Sequence, residues 1–304
     1  MTKRVVMFSS VIYLELFVAL FILPGFFITV ILGIKKFRFL LSFALSYSLI
    51  VLTLLPFEYY AQPIAMWQWC VLLEWVILAV WAGAKTFVNL KNLSVSIHTR
   101  LNPRLLVPLV LAGMICGYLA YAGIYLEVPS DAWQHVSRFQ WHKSSIMENG
   151  AFPSGSSFIN LFLVQGQYWY INHWYFIHAW LCHVSGLPIM DSLHVLTFAN
   201  VLVFLLAIYY FGLFLFAGLR ISVFKKTMMA AISTLFAATA MGNMVFAYIR
   251  YYAFAPTILN YVLFLAAMAV IIAWLRSDRW FGHALWIAPI LLIVTNIVHT
   301  QEAL

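Results

Sequence analysis

Residues 194–217 read HVLTFANVLVFLLAIYYFGLFLFA, 24 positions without a single Asp, Glu, Lys or Arg. Wound as an α-helix with a rise of about 1.5 Å per residue, such a run reaches about 36 Å, more than the hydrocarbon core of a bilayer requires. Working outward, seven further runs meet the same criterion, at 10–34, 39–57, 64–84, 105–126, 227–248, 254–275 and 282–299. Backbone N–H and C=O groups have no water to turn to inside a bilayer, so each run is expected to be helical. The fold class that follows is an all-α polytopic membrane protein with about eight transmembrane helices.

Composition excludes the soluble alternatives. Of 304 residues 65% are hydrophobic and 9% charged, with a mean hydropathy of +0.96, whereas an ordinary soluble domain carries about 25% charged residues. A water-soluble surface could not be covered with so few polar groups. The net charge of +8 is spread singly and in pairs between the apolar runs, which suits orientation in a bilayer and argues against nucleic acid as a partner. Cys70, Cys116 and Cys182 are far apart and form no CxxC pair, so neither a disulfide framework nor a zinc site is expected. Lys3 and Arg4 precede the first apolar run as in a secretory signal, but that run is too long and lacks an Ala-x-Ala-like exit; a retained anchor is expected. Within it Pro24-Gly25 is placed to kink the helix, and Gly113 and Gly117 in the fourth run form a pair that would admit a neighbouring helix closely.

The one long stretch between apolar runs is 127–193, and its segment 159–183 is apolar enough to be considered a span despite Asn160, Gln165, Gln167, Asn172, His173, His178 and His183. Charge distribution arbitrates. If the segment does not cross, twelve Lys and Arg fall on one side of the membrane and five on the other; if it crosses, the split is eight against nine. The positive-inside rule favours the first arrangement, which puts the N-terminus and the loop 127–193 outside the cytoplasm. Tyr168, Trp169, Tyr170, Trp174, Tyr175, Phe176 and Trp180 would then lie at the outer interface, as a belt with one wet ring edge or as a groove for a lipid tail or a sugar ring.

The loop opens with Glu127-Val-Pro129-Ser130-Asp131-Ala-Trp133-Gln-His135-Val136-Ser-Arg138-Phe139-Gln-Trp-His142. Ser130 reads as a helix N-cap, and the spacing 131, 135, 138, 142 places an acid, a cation and two histidines on one helical face, opposite Trp133, Val136 and Phe139. An amphipathic surface helix explains that pattern by itself, with Asp131 favoured in the first turn by the helix dipole. In the favoured topology Arg250, flanked by Tyr248, Tyr251 and Tyr252, and His299 and Glu302 reach the same outer face. A base, a cation for a phosphate and metal-capable ligands at one face form the minimum set for transferring a group from a lipid phosphate.

This layout resembles the GT-C-type integral-membrane glycosyltransferases, which take a sugar from a polyprenyl-phosphate carrier. The likeness runs from Ser130-Asp131-Ala-Trp-Gln-His135 through Tyr168-Trp-Tyr-Ile-Asn-His173-Trp174 to Ser185-Gly-Leu-Pro188 and the span near His194, and covers about residues 105–304. It implies an N-terminal three-helix membrane region, 1–104, ahead of a GT-C-like core, 105–304, whose external loop 127–193 carries interfacial helices. In the family the loop acid is the catalytic base or helps to hold a divalent metal, and Asp131 matches it; beside it the residues expected to bind substrate are His135, Arg138, Arg250 and Trp174, with Mg2+ or Mn2+ expected on Asp131 and Glu302. The partners would be a lipid-linked sugar donor and membrane lipids, in a bacterial inner (plasma) membrane. Asp131 stands alone where many relatives have an acidic pair, and three spans precede the core where relatives often have none. Because the sequence stops at Thr300-Gln-Glu-Ala-Leu304, the expectation is a fragment or a reduced relative.

Two other classes compete. Glu15 and Glu74 lie inside spans, where a carboxylate is costly and usually faces the bundle or a cavity, so a transporter or lipid flippase using them is the main alternative. No inverted repeat or matched pair of broken spans supports it. A non-catalytic scaffold would tolerate loss of every polar residue named. His173, His178 and His183 recur every five residues, a rotation of about 140° that gives them no shared face for a metal.

Overall fold

In the computed structural model, residues 3–35, 37–90, 103–122, 131–152, 173–239, 256–277 and 281–298 are described. Their elements are helices: α1 (Lys3–Phe21), α2 (Leu23–Ile31), α3 (Arg38–Tyr59), α4 (Ile64–Leu90), α5 (Pro103–Ala122), α6 (Asp131–His142), α7 (His173–Ser185), α8 (Ile189–Leu215), α9 (Val223–Thr239), α10 (Pro256–Leu275) and α11 (Phe281–Val298). The extended chain pairs among the described residues only at an isolated bridge between Pro63 and Ala151.

Five stretches are long and apolar enough to cross a membrane: Val5–Ile31, Arg38–Tyr59, Ile64–Phe87, Ile189–Gly218 and Ile258–Leu275. Leu106–Gly117 and Gly282–Ile297 are shorter apolar helices, and α9 is described only as far as Thr239. Of the eight spans expected, five are full-length among the described residues. α3 sits at the centre, with 67% of its apolar window buried, whereas α4 is peripheral, with 17%. Trp69, Leu73, Val80 and Phe87 on α4 are exposed, a costly arrangement against water and an ordinary one against lipid tails.

The first span is interrupted where its sequence predicts. Pro24 has no N–H to give to the turn before it, and the chain leaves helical geometry at Ile22 (φ −123°) between α1 and α2. Gly25 beside it has a separate task. Its N–H donates to Ser46 Oγ at 2.7 Å, and a Cβ built on it would lie 1.9 Å from the Ser42 carbonyl oxygen, so α2 and α3 touch backbone to backbone there. Among the described residues nothing lies within 4 Å of a Cβ on Gly113 or Gly117, and α5 packs through Leu111 and Ile115, about 200° round the helix.

Helix ends sort into two groups. At one end Phe37, just before α3, packs edge-on against Phe214 near the end of α8 (4.6 Å between ring centroids), and Arg276 after α10 donates to the Phe214 carbonyl at 3.5 Å. Lys85 on α4 donates to the Ile31 carbonyl at the end of α2, at the same end. At the opposite end the turn between α3 and α4 meets the loop: Ile64 N–H donates to Gly150 O at 3.0 Å, and Phe152 N–H to Gln62 O at 3.4 Å. His173, at the start of α7, lies against Glu58 near the end of α3. The chain therefore stands at the α3–α4 end at both Phe152 and His173, and α7 keeps it there, since Gly186 lies beside Ser9 near the start of α1.

α7 differs from an interfacial belt. Ten of its thirteen residues are buried, including Trp174, Tyr175 and Phe176, with Trp180 partly so. Trp174, Tyr175, Phe176 and Trp180, which the sequence assigns to a wet-edged interface, pack into the core instead, because α1 and α6 pack against the helix and Tyr47 of α3 lies against Trp174. Residues 159–172 lie outside the described residues.

Candidate functional site

The site grows from the contact of α6 with α7. α6 begins at Asp131, where the sequence places the first turn, and runs into a π-helical turn, Lys143–Met147, closed by Glu148 N–H on the Lys143 carbonyl at 3.1 Å. Val136 and Phe139 are buried as the amphipathic pattern requires. The polar stripe beside them is not turned to solvent. His135 Nδ1 hydrogen-bonds the Tyr175 hydroxyl, Arg138 Nη1 donates to the same oxygen at 3.5 Å, and the Arg138 guanidinium lies 5.6 Å from the Tyr175 ring centroid. Two residues expected to bind substrate are thereby gathered on one phenol, and a cation over an aromatic face with a hydrogen bond at its edge is fixed in orientation as well as attracted.

His142 closes the stripe and is 2% exposed. Its Nδ1–H donates to the Arg138 carbonyl at 2.7 Å, which leaves Nε2 as a buried acceptor without a partner among the described residues. Burial holds its pKa down to about 4, opposed by the hydrogen bond to the Arg138 carbonyl and reinforced by the nearby His173 and Arg138. His142 is therefore neutral at physiological pH.

Behind it lies a pair the sequence reading missed. His173 Nε2 stands 3.2 Å from Glu58 Oε2, with the two side chains 1% and 3% exposed. Neither of those atoms has a hydrogen bond of good geometry among the described residues, and the same holds for His142 Nε2 and the Tyr47 hydroxyl. Buried polar atoms are normally satisfied. These four atoms lie on α3, α6 and α7, and the Tyr175 ring among these helices is 6.0 Å from that of His142. Glu58 follows Pro56-Phe57 at the lip of the second apolar run and precedes Tyr59-Tyr60; a carboxylate in that position was the available signal.

A second polar chain lies deeper. Ser192 Oγ–H donates to the Ile189 carbonyl at 2.6 Å, so its oxygen must accept from His178 Nε2 at 3.1 Å, and His178 Nδ1 then accepts from the Tyr13 hydroxyl at 2.5 Å. Cys182 Sγ is 3.7 Å from His178 Nε2. Burial pushes the His178 pKa down to about 3 and the Cys182 thiol up to about 12. These groups stitch α7 to α1 and α8, and their protonation states make them poor acids or nucleophiles at neutral pH.

Neither a known protein family, nor a curated protein, nor a solved structure matches the chain. The site is therefore read from its own chemistry. Trp174 is 1% exposed and packs on Phe21 and Tyr47, at 6.1 and 6.5 Å between centroids. Arg250 and Glu302 lie outside the described residues, as does the side chain of Asp131. Among the described residues no three His, Cys, Asp or Glu side chains converge on a point that could hold a metal ion.

Proposed function

We propose that the chain is a membrane glycosyltransferase that moves a sugar from a polyprenyl-phosphate donor to an envelope acceptor at the external face of a bacterial inner membrane, with the α3–α4 end outside. The observation that carries this reading is the docking of α6, which opens on Asp131, onto Tyr175 through His135 and Arg138. Asp131 takes the proton of an acceptor hydroxyl, the acceptor oxygen attacks the anomeric carbon, and the bond from that carbon to the phosphate oxygen breaks with its electron pair on the phosphate. Arg138, held by Tyr175, and Arg250 meet the departing charge. The Tyr47 hydroxyl and His142 Nε2, which have no partner among the described residues, suit hydroxyl groups of a sugar. The described residues do not by themselves assemble the Mg2+ or Mn2+ site the resemblance implies, and no step here runs through a metal.

The test is transfer from radiolabelled polyprenyl-phosphate hexoses in membranes carrying Asp131→Asn or Asp131→Ala. A catalytic base predicts that both lose transfer by at least about 100-fold at unchanged insertion. Asparagine keeps most of the capping ability of aspartate, so an active Asn variant beside a poorly inserted Ala variant would reduce Asp131 to a helix cap and end the transferase reading. The alternative, a multispanning transporter or lipid flippase, is favoured by one feature, the buried Glu58–His173 pair, which could exchange a proton. Its originally expected carboxylates give it less, since Glu15 is exposed and Glu74 half-buried on a peripheral helix. It predicts normal activity in both Asp131 variants.

A further inference from the structure

At the end of the bundle opposite the candidate site, the start of α3, the end of α8 and the start of α9 enclose a cavity of about 420 Å³. Lys35, Arg38 and Lys226 line it together with Phe37, Tyr210 and Phe214. Phe37 is buried with a left-handed backbone (φ 41°), and Lys35, two residues before it, and Arg38, just after it, line the same space. A non-glycine residue held there costs of order 1 kcal/mol or more and persists only where the surroundings impose it; here Phe214 does so.

Two of the three cations are held by backbone, not by acids. Arg38 Nε donates to the Ile34 carbonyl at 2.9 Å, and Lys226 Nζ donates to the Ala217 carbonyl at 2.8 Å. Each keeps further N–H donors beyond these bonds. No carboxylate among the described residues pairs with any of them, and the only acid in the sequence between the apolar runs at this end is Asp278. The positive-inside rule accounts for the presence of basic residues here but not for their arrangement round an aromatic-walled cavity.

We propose that this cavity binds the phosphate headgroup of an anionic membrane lipid, with the phosphate between Lys35, Arg38 and Lys226 and the glycerol and first acyl carbons against Phe37, Tyr210 and Phe214. The volume falls in the range of about 300–1,000 Å³ typical of ligand sites, and basic pockets between helices on the cytoplasmic side are suited to such headgroups. A phosphomonoester matches the local charge better than a diester. This inference stands whether or not the chain transfers sugars.

The experiment is native mass spectrometry of the full chain in a zwitterionic detergent, titrated with phosphatidic acid or with phosphatidylcholine. At a contribution of about fivefold per cation, phosphatidic acid should bind at least tenfold tighter, and Lys35→Gln/Lys226→Gln should lose about 30-fold of its affinity. Lys85→Gln, at the same end but outside the cavity lining, should stay within about twofold of wild type because its charge does not face the headgroup. Should the double variant be poorly folded, the wild type decides: its affinity for phosphatidic acid must fall with added salt while that for phosphatidylcholine does not. Equal affinity for the two lipids overturns the proposal, as does an equal loss in Lys85→Gln, which would mean diffuse surface charge. Displacement of the lipid by inorganic phosphate at equal concentration would overturn the lipid assignment and make soluble phosphate the ligand.

Discussion

Glu58 and His173 face each other where almost no water reaches either side chain, and removing one leaves the other with an uncompensated polar group in the bundle. Glu58→Gln and His173→Phe are each expected to cost about 3–5 kcal/mol, and Glu58→Met/His173→Phe clearly less than their sum, because an apolar pair removes the desolvation penalty with the attraction. Reversible unfolding in mixed detergent micelles gives the three values, and strict additivity would show that the two groups do not interact. The sequence drew attention to Glu15 and Glu74 because they lie within apolar runs, and passed over Glu58, one residue beyond the end of its run. Hydropathy along a chain locates a residue in depth but not in azimuth, and azimuth separates exposed Glu15 from buried Glu58. Asp131, His135 and Arg138 could be selected from their spacing alone, whereas their shared partner Tyr175 could not, since it comes from α7 and reads as one aromatic among many.

α6 and α7 form one layer, and two neutral histidines hold it. With folded pKa values near 4 for His142 and near 3 for His178, both set mainly by burial and both below the ordinary 6.5, each contributes stability that is complete above about pH 6.5 and declines as pH falls toward those values. Acidification from pH 7 to about 4 should therefore release the layer, seen as a change in the fluorescence of Trp174, whose environment depends on α7. His142→Asn keeps a donor for the Arg138 carbonyl but cannot take up a proton, so it should shift the acid midpoint to lower pH; an unchanged midpoint would place the acid-sensitive group elsewhere. Periodicity gave the amphipathic character of α6 but not how far its packed face extends. Val136 and Phe139 are buried as expected, yet His142 is buried with them, because the helix settles against a tyrosine and histidines and not against lipid headgroups. Along α7 the five-residue spacing of histidines is legible in the outcome: His173 meets Glu58, His178 meets Tyr13 and Ser192, and His183 is exposed.

For the molecule as a whole, the apolar runs made the helices and the membrane legible, while the packing of short elements against the bundle was not, because a buried helix and an interfacial one draw on the same aromatic residues. The geometry constrains the path of the chain: Gly150 and Phe152 on the α3–α4 turn and His173 beside Glu58 hold both ends of 153–172 at one end, while Arg38, Phe214, Lys226 and Arg276 mark the other. The positive-inside rule would make the basic end cytoplasmic, since twelve of the seventeen Lys and Arg residues fall there in the favoured arrangement. In a background with Cys70, Cys116 and Cys182 replaced by serine, Ser145→Cys and Arg250→Cys should react with a membrane-impermeant maleimide added to intact cells, and Lys225→Cys only after permeabilisation. Labelling of Lys225→Cys alone would invert the molecule, placing Asp131 and the Glu58–His173 pair inside the cell. A cluster of cations facing outward would then need an explanation other than orientation, and the acceptor for any transfer would have to be cytoplasmic. If Ser145→Cys reacts from outside but Arg250→Cys does not, the bundle keeps its orientation while Arg250 is not on the outer face. Arg250 would then be removed from the site, and the departing phosphate would have Arg138 as its only named counter-charge.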